Sequence, residues 1–484
     1  MTDHARPAAA AHAFPMREAL PWLFAAGAYL LLLAMAPKLL NDPDSYWHLA
    51  VAQWIIEHRT FPVADPFSHT AAGAPWIAFE WLSELAYAGA FSLAGWPGVA
   101  MLGAACIALA FGLAAWFLTR ELDTVPALIL LVAAFVLVAP HMLARPHAIV
   151  MPVMVAWACI LIRTMDRRGP PPFAALPLLI LWANLHGSVS FGVALIGPAA
   201  LEALWGAPRR DWLRIAGPWI LFGLLALVAA SITPYGPGIL LVPLHTFGLA
   251  EALQTIIEWR PQNFSHPGAF EVLLLASIGY ALFRGITLPP VRILVLLGLL
   301  HLALSQSRHA DLLALLGPLY LARPLGAQLQ QSRSDEPAGS LKLAMFGAAL
   351  VAVLATSFAL TRNLTPNPQQ TPQAAIAATD LAHAGPVLND YGFGGYLIHA
   401  GIPPFIDGRG ELYGRKLILR HSRGLALEDL PDFLRLLDEY KIQATLLMPS
   451  TPAVALLDRL PEWERVYADD IAVVHKRRAA RPAK

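Results

Sequence analysis

The chain has 484 residues, 57% of them hydrophobic and 14% charged, with a formal net charge of +1. Soluble domains carry roughly 25% charged residues, so the composition excludes an ordinary soluble globule, and the lack of a basic excess excludes nucleic acid as a partner. A polytopic membrane protein remains, with the lipid bilayer as its first partner. The two cysteines, Cys106 and Cys159, fall inside apolar runs and supply no disulfide framework.

In chain order, residues 1–19 read as a tail ahead of a first apolar run at 20–39. Further apolar segments at 97–119, 125–140, 147–162, 173–185, 188–205, 213–233, 268–283, 293–306, 310–322 and 342–361 bring the total to about eleven transmembrane helices, several shorter than the roughly 20 residues that a bilayer requires. Residues 76–94 are apolar enough for a twelfth, but they carry Glu80 and Glu84, and counting them inverts every later loop. With 76–94 laid along the surface, Arg6, Arg17, Arg120, Arg163, Arg167, Arg168, Arg209, Arg210, Arg214, Arg284, Arg292, Arg323 and Arg333 share one side, which the positive-inside rule makes the cytoplasm. The first span is long enough to act as an uncleaved anchor, although Ala34-Met35-Ala36 resembles a cleavage site. Residues 328–340 and 361–372 read as a cytoplasmic and an outer linker.

The first outer loop, 41–96, opens with the run Asn41-Asp42-Pro43-Asp44-Ser45-Tyr46-Trp47-His48. An ionised carboxylate is too costly to leave in hydrocarbon, so a pair at the exit of a span must face water, a cation or a substrate. Asp42-Pro43 has the form of a helix N-cap followed by proline at the first helical position. Trp47, Ala50, Val51, Trp54 and Ile55 then supply the apolar stripe of an interfacial helix. Asp44 and His48, four residues apart, share a face of that helix. Asp44 is not needed as the cap and ranks first for chemistry. The stretch Phe61 to Trp76, with Asp65-Pro66-Phe67-Ser68, is rich in turn formers and leads into a second interfacial helix bearing Glu80.

A long first outer loop with an acidic motif directly after the first span, two surface helices in it, many spans and a C-terminal outer domain together resemble the GT-C superfamily of membrane glycosyltransferases. The layout is similar to that of protein O-mannosyltransferases, aminoarabinose transferases and oligosaccharyltransferase catalytic subunits. Asp44-Ser45-Tyr46 fits the Asp-x-Tyr form of the loop motif, whereas Asp42-Pro43 lacks the adjacent Glu of the other form, so the base is left open between Asp42 and Asp44. Asp-Pro-Phe-Ser, Glu-Trp-Leu and the later Asp-Gly-Arg also look like bacterial membrane proteins grouped with that superfamily. The resemblance implies an inverting glycosyltransferase that moves a sugar from a polyprenyl-phosphate donor to an envelope glycan, lipid or protein acceptor at the outer face of the bacterial inner membrane. Such transfer requires a carboxylate to take the acceptor proton and cations to stabilise the departing phosphate. Arg145 and His147 in Leu-Ala-Arg-Pro-His, and Arg308 and His309 in Ser-Gln-Ser-Arg-His, stand at outer span ends and suit the phosphate; guanidinium binds phosphate in two-point fashion. The reading from another class is a transporter or flippase, or a non-catalytic subunit of an envelope polysaccharide assembly complex. Transporters bury ionisable groups near the bilayer midplane, and here the spans carry few, His301 being the main exception.

His48, Asp65, Glu80, His186 and Glu258 are expected on the same outer face as candidate substrate contacts. Asp44, Asp65, His48 and Glu80 also make a divalent cation, Mg or Mn, conceivable without any diagnostic spacing. Beyond 373, apolar runs at 386–388, 404–406, 444–448 and 471–474 alternate with helical patterns at 425–440 and 452–460, the pattern of a small extracytoplasmic α/β domain spanning 362–484. Its loops Asn389 to Tyr396 and Phe405 to Gly414 bring Asp390, Tyr396, Asp407, Arg409, Glu411 and Tyr413 as candidate acceptor contacts. Gly392-x-Gly394 lacks the third glycine of a dinucleotide fingerprint.

Overall fold

The computed structural model describes residues 16–243, 248–253, 257–329 and 341–478. Arg6, Arg333, the chain end at Lys484 and most of the 328–340 linker lie outside the described residues. Every apolar segment read as a span is helical. In chain order the main helices are α1 (Met16–Ala34), α2 (Asp44–His58), α3 (Trp81–Glu121), α4 (Thr124–Val138), α5 (Pro146–Arg167), α6 (Leu176–Leu185), α7 (Val189–Ala194), α8 (Ile196–Trp205), α9 (Trp212–Ala230), α10 (Ala269–Arg284), α11 (Pro290–Ser305), α12 (Ala310–Gln328) and α13 (Leu341–Thr361). Among the described residues, 6 helices are long and apolar enough to cross a membrane.

Local sequence sets the ends of these helices. Proline stands at the first positions of α5 and α11, where its missing N–H has no acceptor to lose. Gly285, at φ 61°, closes α10 in the left-handed conformation. α3 is broken at Ala94 and Gly95, the latter at φ 61° and ψ −146°, just ahead of Pro97. The helix expected over 76–94 therefore starts at Trp81 and joins the following span across a sharp bend.

α5 is the axis of the bundle, with 78% of its apolar window buried, whereas α4, α9 and α13 bury only 22% to 28% of theirs. Those outer helices present Ile129, Val228, Leu221 and Phe346 outward, an apolar exterior that is stable only in lipid. Trp157 of α5 stacks on Phe222 of α9 at 6.0 Å and donates its indole N–H to Gly192 O at 2.9 Å. With 22 residues, α5 is about 33 Å long, so its two ends lie a bilayer apart. At the Arg167 end, Arg292 meets Asp166 at 2.6 Å and Glu202 at 2.9 Å, Arg323 meets Asp166, Arg17 donates to Thr119 O, and Arg120 and Arg163 cover Trp116. Of the arginines assigned to one side from sequence, Arg17, Arg120, Arg163, Arg292 and Arg323 gather at this end.

After α13 the chain forms a four-stranded sheet in the order β1-β2-β4-β3, from β1 (Val387–Asn389), β2 (Ala444–Leu447), β3 (Trp463–Ala468) and β4 (Val473–Arg477). β1 and β2 are parallel, with Val387 opposite Ala444; the other pairs are antiparallel. The helices α14 (Gly394–His399), α15 (Gly410–Leu425), α16 (Leu430–Glu439) and α17 (Pro452–Leu457) pack around it. Residues 404–406, expected as a strand, are not one: Phe405 N donates to the Asn389 side chain at 2.8 Å and Phe405 O accepts from Thr70 Oγ1, so side chains take the ladder positions. α14 sits directly on α2; a Cβ at Gly395 would lie 2.4 Å from Pro43 O.

Candidate functional site

The start of α2 and the start of α5 meet at Arg145. Its Nε lies 2.6 Å from Asp42 Oδ2, Nη2 is paired with Asp44 Oδ2, and Nη1 is 3.2 Å from Glu258 Oε2. Asp42 is not the N-cap expected of it: the helix begins at Asp44, so Pro43 takes the cap position without a side-chain cap, and Asp42 Oδ1, one residue further out, accepts the Asp44 N–H at 3.1 Å. The two acids differ in access: the Asp42 side chain is 1% exposed and that of Asp44 15%. Burial pushes Asp42 up to about 6 despite the opposing Arg145 charge, with Asp44 adding to the rise. For Glu258 burial acts upward too, but Arg145 and Arg308 overcome it and hold the carboxyl at about 2.

Arg308, 28% exposed, pairs with Glu258 Oε1 at 3.2 Å and lies 4.3 Å above the Trp259 ring. Arg145 is thus occupied by three carboxylates, and Arg308 by one. Neither neighbouring histidine is a free phosphate ligand. His147 Nε2 is spent on His141 O at 3.2 Å, and burial together with Arg308 lowers His309 to about 4, leaving it neutral near pH 7.

A second cluster lies beside α2. His48 Nδ1 is 3.1 Å from Glu84 Oε1 and 3.9 Å from Glu80 Oε2, while His186 Nε2 is 2.9 Å from Glu80 Oε1. Burial alone would lower His48, but the Glu84 hydrogen bond and the charges of Glu80 and Glu84 raise it. Burial would raise Glu80, but His186, His48 and Arg145 bring it down to about 2. Ligand atoms of His48, Glu80 and Glu84 lie within 4.8 Å of one another, and Glu84 Oε2 is buried without a hydrogen-bond partner. One imidazole and two carboxylates suit Mn, which accepts a nitrogen ligand more readily than Mg, so these residues fit a cation. Of the set read from sequence, Asp44 and Asp65 are not in it, because each is committed to an arginine.

Asp65, expected as a substrate contact, and Asp407, Arg409 and Tyr413, expected as acceptor contacts, form a closed knot. Arg409 Nη1 reaches Asp65 at 2.7 Å, its Nε and Nη2 reach Asp407 at 2.8 and 2.7 Å, and Tyr413 OH donates to Asp407. Arg409 is 1% exposed and Asp407 0%, which leaves no free polar atoms for a ligand; burying such charges is tolerable because each is paired and hydrogen-bonded. The knot ties the first loop to the sheet unit and delivers Gly408 to Asp44: a Cβ at Gly408 would lie 1.9 Å from Asp44 Oδ1 and 2.8 Å from Trp47 Nε1. Asp390 holds Met448 N at 2.6 Å and Thr451 Oγ1 at 2.8 Å, and Glu411 accepts from Trp76 Nε1 at 3.0 Å. Tyr396 packs edge-on against Tyr46 at 4.9 Å. Glu84 and Gly408 are the residues sequence reasoning passed over. Glu84 is four residues after Glu80, hence on the same helix face, and Gly408 is the middle of the Asp-Gly-Arg run.

No known family model matches the sequence, and no curated protein matches it. Among solved structures, the chain is similar to the Archaeoglobus fulgidus oligosaccharyltransferase in its apo form, with a TM-score of 0.53 and 12% identity over 87% of this chain and 69% of that one. The two chains share a fold. The archaeal oligosaccharyltransferase AglB from Archaeoglobus fulgidus, in complex with an inhibitory peptide and a dolichol-phosphate, is similar at a TM-score of 0.51 and 13% identity, over 87% of this chain and 69% of that one. ArnT from Cupriavidus metallidurans bound to undecaprenyl phosphate gives a TM-score of 0.49 at 15% identity, over 94% of this chain and 98% of that one.

Proposed function

We propose that this GT-C-like protein is an inverting glycosyltransferase that takes a sugar from a polyprenyl-phosphate donor and transfers it to a glycan, lipid or protein of the cell envelope. The observation carrying this reading is the convergence of Asp42, Asp44 and Glu258 on Arg145, with Arg308 alongside, at one end of an apolar bundle. Asp44 is the base, being the member of the first-loop pair with access. It takes the acceptor proton as the acceptor atom attacks the anomeric carbon from the face opposite the phosphate; the phosphate leaves with the electron pair of the broken bond. Arg308, carrying one carboxylate rather than three, receives the departing phosphate, and Asp42 with Arg145 fixes Asp44. A divalent cation held by His48, Glu80 and Glu84 would add positive charge near the phosphate.

In this reading the site faces the outer side of a bacterial inner membrane, the arginine-rich end is cytoplasmic, and the sheet unit is extracytoplasmic. The test is transfer of radiolabelled sugar from undecaprenyl-phosphate sugars to an envelope extract by purified protein in lipid. A labelled product dependent on Asp44 supports the reading, and its absence with every donor tried opposes it.

A further inference from the structure

At the end of the bundle away from Arg145, the loop after α5 and the ends of α8, α9 and α11 enclose a cavity of about 660 Å³ lined by Arg168, Glu202, Trp205, Arg214, Trp219 and Pro290, among others. α5 begins beside Arg145 and runs 22 residues, about 33 Å, before reaching this cavity, so it is separate from the site described above. We infer that it binds the phosphate headgroup of an anionic membrane phospholipid.

Charge carries the first part of this inference. Arg168 and Arg214 are exposed and form no ion pair among the described residues. Glu202 is already taken by Arg292 at 2.9 Å. The cavity therefore presents two uncompensated guanidiniums. Position carries the second part: the cavity lies at the ends of α5 and of the apolar segment Arg209–Ala230, the depth at which headgroups sit. Around it, Trp205 is 62% exposed, Trp212 45% and Leu213 89%, and tryptophan at that depth is an interfacial anchor. A wall of tryptophan and proline beside paired arginines matches an amphipathic phosphodiester; a small free anion would leave the apolar walls unused.

The full-length protein in neutral detergent is titrated with dioleoyl phosphatidylglycerol or dioleoyl phosphatidylcholine and read by native mass spectrometry. Phosphatidylglycerol should bind about 25-fold more tightly, a factor of about five for each guanidinium. Arg168→Gln with Arg214→Gln should abolish the difference, Arg168→Lys with Arg214→Lys should keep most of it, and Arg209→Gln with Arg210→Gln, at the same end but outside the cavity, should leave it intact. Equal binding of the two lipids to the wild-type chain overturns the proposal whether or not the variants fold. So does equal loss in the Arg209/Arg210 variant. Full displacement of phosphatidylglycerol by millimolar inorganic phosphate would assign a free-anion site instead.

Discussion

Asp42 and Asp44 are two residues apart and bind the same guanidinium, yet one is sealed and the other open. Asp44→Asn should lower transfer by about 10²- to 10⁴-fold, the range for loss of a positioned base, with normal expression. Asp42→Asn disturbs Arg145 and Asp44 without removing the base, and should lose about a hundredfold at most; steady-state kinetics on the two purified variants separates these outcomes. Acid stability carries a further signature. Glu80 and Glu258 stand at about 2 in the folded chain against 4.5 ordinarily, so their contribution is complete above pH 4.5 and is lost as pH falls from 4.5 toward 2. Asp42, at about 6 against 3.8, works in reverse: between those values the folded chain binds a proton the unfolded chain does not, and stability rises as pH falls. The unfolding midpoint should therefore climb slightly from pH 6.5 to 5 and drop below 4.5, and Glu80→Gln should shrink the drop. A drop unchanged in that variant removes Glu80 from the explanation.

Among the elements, the bend in α3 and the contact of the sheet unit with α2 are the most sensitive points. Gly95 holds φ 61° and ψ −146°, a region essentially confined to glycine, so Gly95→Ala should destabilise by about 1–3 kcal/mol, read as a lowered unfolding midpoint. At Gly408 a methyl group would overlap Asp44 Oδ1 at 1.9 Å. Displacing the base by about 1 Å costs on the order of a hundredfold in rate, so Gly408→Ala should lose kcat well beyond any loss of folded protein. The apolar helices were legible because length and hydropathy alone specify them. The sheet was legible only in part. β3, Trp-Glu-Arg-Val-Tyr-Ala, is an edge strand with most residues exposed, and so lacks the apolar run that marks the buried β1 and β2. Residues 404–406 have that run and no ladder, because Asn389 and Thr70 satisfy Phe405, contacts 16 and 335 residues away in sequence that no local pattern announces.

For the whole molecule, the sequence placed the arginines and the acids on opposite sides, and the structure gathers Arg17, Arg120, Arg163, Arg292 and Arg323 at one end and Asp42, Asp44, Glu258 and Arg308 at the other. Pairing within the acidic end was not legible, since Arg145, Glu258 and Arg308 are brought together by helix packing over 113 and 50 residues of chain. The membrane orientation proposed here puts Lys484 outside, so a phosphatase fused after it should be active only when exported, and activity confined to the cytoplasm would place the site on the wrong face. A transporter would move substrate across sealed vesicles with both first-loop acids replaced, whereas an interfacial transferase would not. The central claim rests on Asp44, and the most direct measurement compares sugar transfer from undecaprenyl-phosphate donors by the purified wild-type and Asp44→Asn proteins at equal folded concentration. Product formation that falls at least a hundredfold in the variant is the expected result, and equal rates in the two proteins would contradict the account.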